Sequence, residues 1–402
     1  MSKSNKQQEP KIRFEAFSGS WEKDILGKTK DVRDGTHDSP KLISEGYPLV
    51  TSKNLKENGL DMSDISYISE VDYKSINKRS EVTIGDILFA MIGTIGNPII
   101  IKQDNFAIKN VALIKNTGAV SNEFLLPLLK SDVFEKYIYI ENAGNTQKFL
   151  ALGKIREFSF HVPTTNEQTQ IGNFFQQLDK LIELQTRAVE SAETYKKAML
   201  QKMFPQKGGK VPRVRFAGFS GDWEQGRLSE VVKINPSSQL PTTFNYVDLE
   251  SVKGHILIGV KKEFLETAPS RAQRVAIKND IFYQTVRPYQ RNNYLFELED
   301  NDYVFSTGYA QLRPKKVISS FLFSVIRTSG FVGKVLIRCT GTSYPAINST
   351  DLGEINILFP TLEEQTKIGD FFQKLDQNIE SEKKKLERYQ TMKRAMLQRM
   401  FV

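Results

Sequence analysis

Apolar residues recur at steps of three and four along two long stretches of this chain, and at steps near two along several shorter ones. In 167–204, Ile171, Phe175, Leu178, Ile182, Val189, Ala192, Met199 and Met203 fall on one stripe. In 364–401, Ile368, Phe372, Leu375, Ile379, Leu386, Tyr389, Met396 and Met400 fall on the same register. A seam of period ~3.5 over several heptads predicts two helices that pair along their length. Pro163 and Pro360 precede them, and Thr164 or Thr165, and Thr361, offer hydroxyl caps. Helices of about 35 residues would exceed the width of a small domain, so the seams are expected to pack on each other. The pairs Phe174-Phe175 and Phe371-Phe372 point to more than one face, so each helix start is expected to dock on its own globular segment. The polar seam positions Gln185 and Glu382, and Lys196 and Lys393, either fix register or face solvent or another subunit. Lys383, Lys384 and Lys385 read as solvated helix surface, with phosphate contact as the alternative.

The two stretches are also copies of one another. At a constant offset of 197, with no gap, they agree at 21 of 38 positions. The string PKIRFEAFSGSWE at 10–22 returns as PRVRFAGFSGDWE at 212–224, identical at 8 of 13 positions. The chain is therefore a tandem of two similar halves. Segment 205–212, PQKGGKVP, cannot continue a helix and reads as a linker.

Each half also holds a globular segment. In the first, 47–51, 82–92, 98–102 and 111–115 carry the β-branched and aromatic residues of strands, and 122–140 has helical spacing. In the second, 246–249, 256–260, 280–286 and 303–312 read as strands. Segment 124–134 aligns with 321–331 at the same offset, and Gly144 falls on Gly341. Both halves are expected to share one α/β or α+β fold with diverged middles. The boundaries are 1–162, 163–204, 205–212, 213–359 and 360–402 for first domain, first long helix, linker, second domain and second long helix. Connectivity favours an antiparallel helix pair with an approximate twofold axis, whereas a parallel pair would put both domains at one end. Two inverted readers suit two separated half-sites on a duplex.

Composition narrows the class. At 39% hydrophobic and 26% charged, the 402 residues suit an ordinary soluble protein. The apolar run 84–101 is broken by Asp86, Gly93, Gly96 and Pro98, and MSKSNKQQEP lacks a signal-peptide core, so a cytoplasmic protein with no membrane partner is expected. A formal charge of +9 favours an anionic partner, nucleic acid ahead of membrane. The single Cys339 excludes an intrachain disulfide and a cysteine-rich metal site, and His37, His161 and His255 stand far apart. Gly27-Lys28-Thr29 resembles the end of a phosphate loop, but Glu22 stands where that loop needs glycine. No nucleophile elbow, zinc helix or dinucleotide fingerprint is present. A binding protein without catalytic residues, metal or cofactor of its own is the expectation; an enzyme with an unfamiliar site and a helical scaffold are the competing classes.

Base readout and phosphate contact need Arg, Lys, amides and hydroxyls on loops. The second half concentrates them at Arg271, Arg274, Arg287, Tyr289, Gln290, Arg291 and Asn292, and again at Thr342, Ser343 and Tyr344. The first half offers Thr51, Ser52, Lys53 and Asn54, then Thr94, then Asn145, Thr146, Gln147 and Lys148 at the place matching 342–345.

Taken together, the chain resembles the DNA specificity subunits of type I restriction-modification systems. The resemblance covers nearly the whole chain. It rests on the FxxFxGxWE strings at Phe14 and Phe216, the Pro-(x)3-Glu-Gln strings at Pro163 and Pro360, the two KxAMLQxMF helix ends, and DIFYQTVRP, STGYAQLRP and GTSYPAI at 280–288, 306–314 and 341–347. The first half departs from the last of these, reading NTQKFL at 145–150. The resemblance implies two target recognition domains, each reading one half of a bipartite double-stranded DNA target. It implies a helical pair that spaces them and docks two modification subunits, which bring S-adenosylmethionine and methylate adenine. Two restriction subunits using ATP and Mg would complete a system of phage defence. No cofactor would bind this chain.

Overall fold

The computed structural model describes residues 9–57, 59–93, 95–142, 149–341 and 343–402. The chain divides into two compact units, Met1–Thr186 with Lys385–Val402, and Arg187–Lys384. Each unit thus holds one globular segment, the start of one long helix and the end of the other.

In the first unit a four-stranded antiparallel sheet runs in the order Lys30–Asp34, Val111–Gly118, Ile87–Ala90, Gly96–Ile100. Ile87–Ala90 reads ILFA and is wholly buried, as a strand covered on both faces must be. A three-stranded sheet of Ser66–Ile68, Tyr47–Val50 and Ala107–Ile108 lies in the same unit. The first strand, Glu22–Ile25, pairs antiparallel with the last, Ser159–Val162, so the segment closes on itself just before the long helix begins.

The second unit repeats this frame. Its main sheet runs Val232–Ile234, Tyr309–Pro314, Ile281–Gln284, Tyr294–Leu295, and Glu224–Arg227 pairs with Asn356–Phe359. A further four-stranded sheet is ordered Lys261–Phe264, Thr243–Val247, Tyr303–Ser306, Ala272–Val275.

Several expected elements are broken by polar groups. The stretch 122–140 forms two helices, Asn122–Leu129 and Asp132–Glu141, because buried Ser131 both donates to the Leu128 carbonyl and caps the new helix by accepting from Val133 N–H. Strand 82–92 shrinks to Ile87–Ala90, because the Asp86 carboxylate draws in Thr83 N–H, the Thr83 hydroxyl, Lys115 and Asn116 N–H. The run 303–312 is two strands in different sheets, parted at Thr307 and Gly308. The run 256–260 yields only Ile256–Leu257 before a separate strand at Lys261–Phe264.

The repeated strings acquire physical reasons. Glu167, 0% exposed, takes a two-pronged ion pair from Arg13 at 2.8 Å, and Glu364, also 0% exposed, takes one from Arg215 at 2.7 Å. The neighbouring glutamines brace the helix starts: Gln168 accepts from Ser121 N–H and donates to the Pro163 carbonyl, and Gln365 does the same with Ile318 and Pro360. Trp21 packs edge-on against Phe124 and Phe401, and Phe401 stacks on Phe175. In the second unit Phe204 packs against Trp223, Phe321 and Phe372 in the same way. Ile12 N–H donates to the Arg399 carbonyl at a helix end, as Val214 N–H does to Lys202. The first phenylalanine of each pair turns to the opening string, Phe174 on Phe14 and Phe371 on Phe216.

The long helices, Thr165–Lys202 and Leu362–Arg399, run 38 residues each, about 57 Å. Along their seams Ile171, Phe175, Leu178, Val189, Ile368, Phe372 and Ile379 are buried, and Ile182, Met199, Leu375, Leu386 and Met396 are half-buried. Lys393 pairs with Asp179 at 2.6 Å in the first unit. In the second, Asp376 pairs with Lys196 and Arg327, and Lys383 pairs with Glu193. Lys196 and Lys393 therefore serve as ion-pair partners inside the seam rather than as solvated side chains, and Lys383 is paired as well. Burial opposes ionisation of Asp376, yet Arg327 and Lys196 hold its carboxyl below the usual range.

No single helix among the described residues is long and apolar enough to cross a membrane. Phe401→Ala should cost about 3–5 kcal/mol, and hydrogen exchange should show the loss in Glu22–Ile25 and Asn122–Leu129 of the first unit. A second expectation concerns His255, pushed down to about 4 by burial and by Lys196, Arg327 and Lys383 against the pull of Asp376. Its neutral form is the folded form, so the stability it contributes is present above pH 6.5 and is lost as pH falls through 4. His255→Asn should flatten the fall in melting temperature across that window.

Candidate nucleic-acid interface

In the second unit the buried strand Ile281–Gln284 delivers the chain to a loop that is sewn to its neighbours by backbone bonds. Val286 bridges Ala346, Arg287 N–H donates to the Pro345 carbonyl at 2.8 Å, and Ile347 N–H donates to Thr285 at 3.1 Å. These bonds place Arg287 beside Tyr344, and Tyr289, Gln290, Arg291 and Asn292 follow it along the loop. The Arg287 guanidinium lies 4.2 Å over the Tyr344 ring. Asn292 accepts from Gly254 N–H, which ties in a third loop, the hairpin of Val252–Lys253 and Ile256–Leu257.

A residue that sequence reasoning passed over holds this loop in shape. Gln284, buried at the strand end, accepts from Asn292 N–H and donates to the Gln290 side chain, while its own N–H donates to Asn293. The signal was a glutamine closing an otherwise apolar strand. The loop is also strained: Arg287 and Arg291 have φ of +53° and +58°, left-handed values that cost an L-residue about 1–2 kcal/mol each.

Arg271 reaches the same end of the unit. Its carbonyl accepts from Thr307 N–H, and the next residue, Gly308, accepts from Thr285 N–H. Arg274 joins none of these loop contacts among the described residues. It lies within its strand opposite Phe305, with Nε buried and unpartnered, so burial lowers its pKa.

The first unit has the same stitch. Ile92 bridges Phe149, and Leu150 N–H donates to the Met91 carbonyl at 2.9 Å. Ile92, just before Gly93, and Phe149 are thus brought together. Thr94, Asn145, Thr146, Gln147, Lys148 and, in the second unit, Thr342 lie outside the described residues.

The Thr51 to Asn54 group is corrected by its bonding. Asn54 is 2% exposed; its oxygen accepts from the Thr51 N–H and hydroxyl, and its amide donates to the Asp61 and Asp64 carbonyls. Ser52 donates to the Asn110 carbonyl. These groups are committed to the turn, which leaves exposed Lys53, itself paired with Asp64 at 3.1 Å, facing solvent. Asn54→Ala should cost about 1–3 kcal/mol in urea unfolding, because it strands buried partners. Lys53→Ala should stay within about 0.5 kcal/mol.

Among the described residues no group of three or more His, Cys, Asp or Glu is placed to hold a metal ion. Cationic, aromatic and amide side chains on stitched loops can bind an anionic, hydrogen-bonding surface, and the chain's basic charge agrees.

Comparison with known proteins gives the same direction. The profile of the type I restriction modification DNA specificity domain matches residues 35–194 and again 220–389, one match in each half. The putative type I restriction enzyme MjaX specificity subunit of Methanocaldococcus jannaschii is 24% identical over 398 residues, covering 93% of this chain and 90% of that protein. The HindI specificity subunit of Haemophilus influenzae is 29% identical over 156 residues, 37% of this chain and 31% of its own. Among solved structures, the S subunit from M. genitalium superposes with a TM-score of 0.64 at 16% identity, covering 98% of this chain and 99% of that one. A chain from a structure of type I R-M complex assembly and conformational transition gives 0.53 at 17% identity, covering 94% and 96%. At such identities these likenesses establish the fold, and the two profile matches establish the lineage: the chain belongs to the type I restriction-modification DNA specificity family, whose members are the non-catalytic specificity subunits.

Proposed function

We propose that each half reads one half of a bipartite, asymmetric DNA duplex sequence, and that the two long helices form an antiparallel pair that sets the gap between half-sites. The observation that carries this reading is the recurrence of one loop stitch, Ile92 to Phe149 and Val286 to Ala346, under loops whose letters differ. A constant frame with variable loops suits two readers of different targets. The antiparallel sense is supported within the second unit by two ion pairs in which one helix's numbers rise as the other's fall, Glu193 with Lys383 and Lys196 with Asp376.

On this reading the target recognition domains are 1–162 and 213–359, the helices 163–204 and 360–402, and 205–212 the linker. The paired helices offer a nearly twofold surface to two modification subunits, which carry S-adenosylmethionine and flip and methylate adenine. Two restriction subunits supply the ATP- and Mg-dependent step. This chain supplies binding, register and spacing.

The test is the methylome of a host expressing this chain with its modification partner. A bipartite motif is expected, and its absence sinks the proposal. Insertion of four residues into the first long helix should then widen the gap and leave both half-site sequences intact. A changed half-site sequence would refute the spacing role.

A further inference from the structure

We propose that Arg287, lying over the Tyr344 ring, is a base-reading residue of the second half and selects a guanine in the major groove. The inference rests on the reading that this half contacts duplex DNA.

Arg287 and Gly93 occupy the same place in the two halves, each directly after the residue that bridges the second loop, Val286 in one and Ile92 in the other. Both have left-handed backbone, φ +53° at Arg287 and +78° at Gly93. The shared frame therefore demands a left-handed residue here, and the first half meets the demand with glycine, which adopts it without strain. An arginine here bears backbone strain that glycine avoids, and what it adds is a side chain.

The side chain is aimed. Its guanidinium lies 4.2 Å over a Tyr344 ring that is itself 65% exposed, so the stack builds no core. Nε is buried without a hydrogen-bond partner. No carboxylate pairs with Arg287 among the described residues. With Nε buried and the guanidinium seated over the ring, the two terminal nitrogens form the remaining edge. That edge is a planar fork matched to guanine O6 and N7, which accept side by side. A phosphate contact needs charge but no fixed plane, and a compact lysine would meet it equally well.

Arg287→Gly separates the possibilities, since glycine suits this backbone and removes only the fork. Methylomes are compared for complexes carrying wild-type chain, Arg287→Gly and Arg287→Lys, with thermal melting of each complex as the fold control. One G·C position in one half-site should become degenerate in Arg287→Gly, with a roughly ten- to hundred-fold loss of preference. The other half-site and the gap should not change, melting should be unaffected or higher, and Arg287→Lys should not restore the guanine. An unchanged motif in Arg287→Gly overturns the inference, as does full recovery in Arg287→Lys, which would indicate phosphate contact. A lowered melting temperature with loss of that whole half-site also overturns it, leaving the stack as a structural clamp. A wild-type methylome with no bipartite motif would instead fail the specificity reading itself.

Discussion

A carboxylate with no access to water stands at the start of each long helix, and the rest of each unit is arranged around satisfying it. Glu167 and Glu364 are ionisable groups deep in the protein, and leaving either without its arginine would cost about 3–5 kcal/mol. Arg13 and Arg215 reach them in two-pronged geometry from the opening strings. The opening string is thereby fixed against the helix start. It is also fixed against a helix end, since Ile12 and Val214 donate to the last carbonyls of Arg399 and Lys202. One short segment thus joins a helix start to a helix end in each unit. In the second unit its end-partner is the helix just before it in sequence, and in the first it comes from the far end of the chain.

This arrangement frees the loops. The strands that face the helices carry structure in their buried letters, ILFA in one half and IFYQ in the other, and the loops that leave them share stitches while differing in sequence. The contrast between Gly93 and Arg287 shows the division at a single position. The backbone requirement is common to both halves, and only the second accepts strain there to present a side chain.

Much of this was legible in the letters. The repeat gave the two halves, the 3.5-residue seam gave two helices whose seam positions are indeed sheltered, and the loops after Val286 and before Ala346 were singled out and are adjacent. What escaped was set by single polar side chains acting across space. Ser131 ends one helix and starts the next, and Asp86 shortens a strand by gathering donors from residues near and far in sequence. Asn54 looked like a reader because amides read bases, but an amide also suits the inside of a turn, and composition does not distinguish the two uses. Arg274 shows the same ambiguity in a strand, where alternation gives no indication that Nε is shut off from water.

The charged seam positions carry the argument one step further. A purely apolar seam tolerates sliding by a heptad at modest cost, whereas a partly sheltered lysine beside an aspartate favours one register, because a slip separates the two charges. The two units use equivalent aspartates, Asp179 and Asp376, each met by a lysine from the closing third of the other helix, Lys393 and Lys196. Both side chains of the second pair are largely sheltered, and burial lowers the Lys196 pKa. In the second unit Arg327 is a further ion-pair partner of the aspartate, and a hairpin brings a histidine, His255, close enough to sense the cluster. The same lysine–aspartate device thus recurs in both units, and the duplicated copies have diverged in the groups around it.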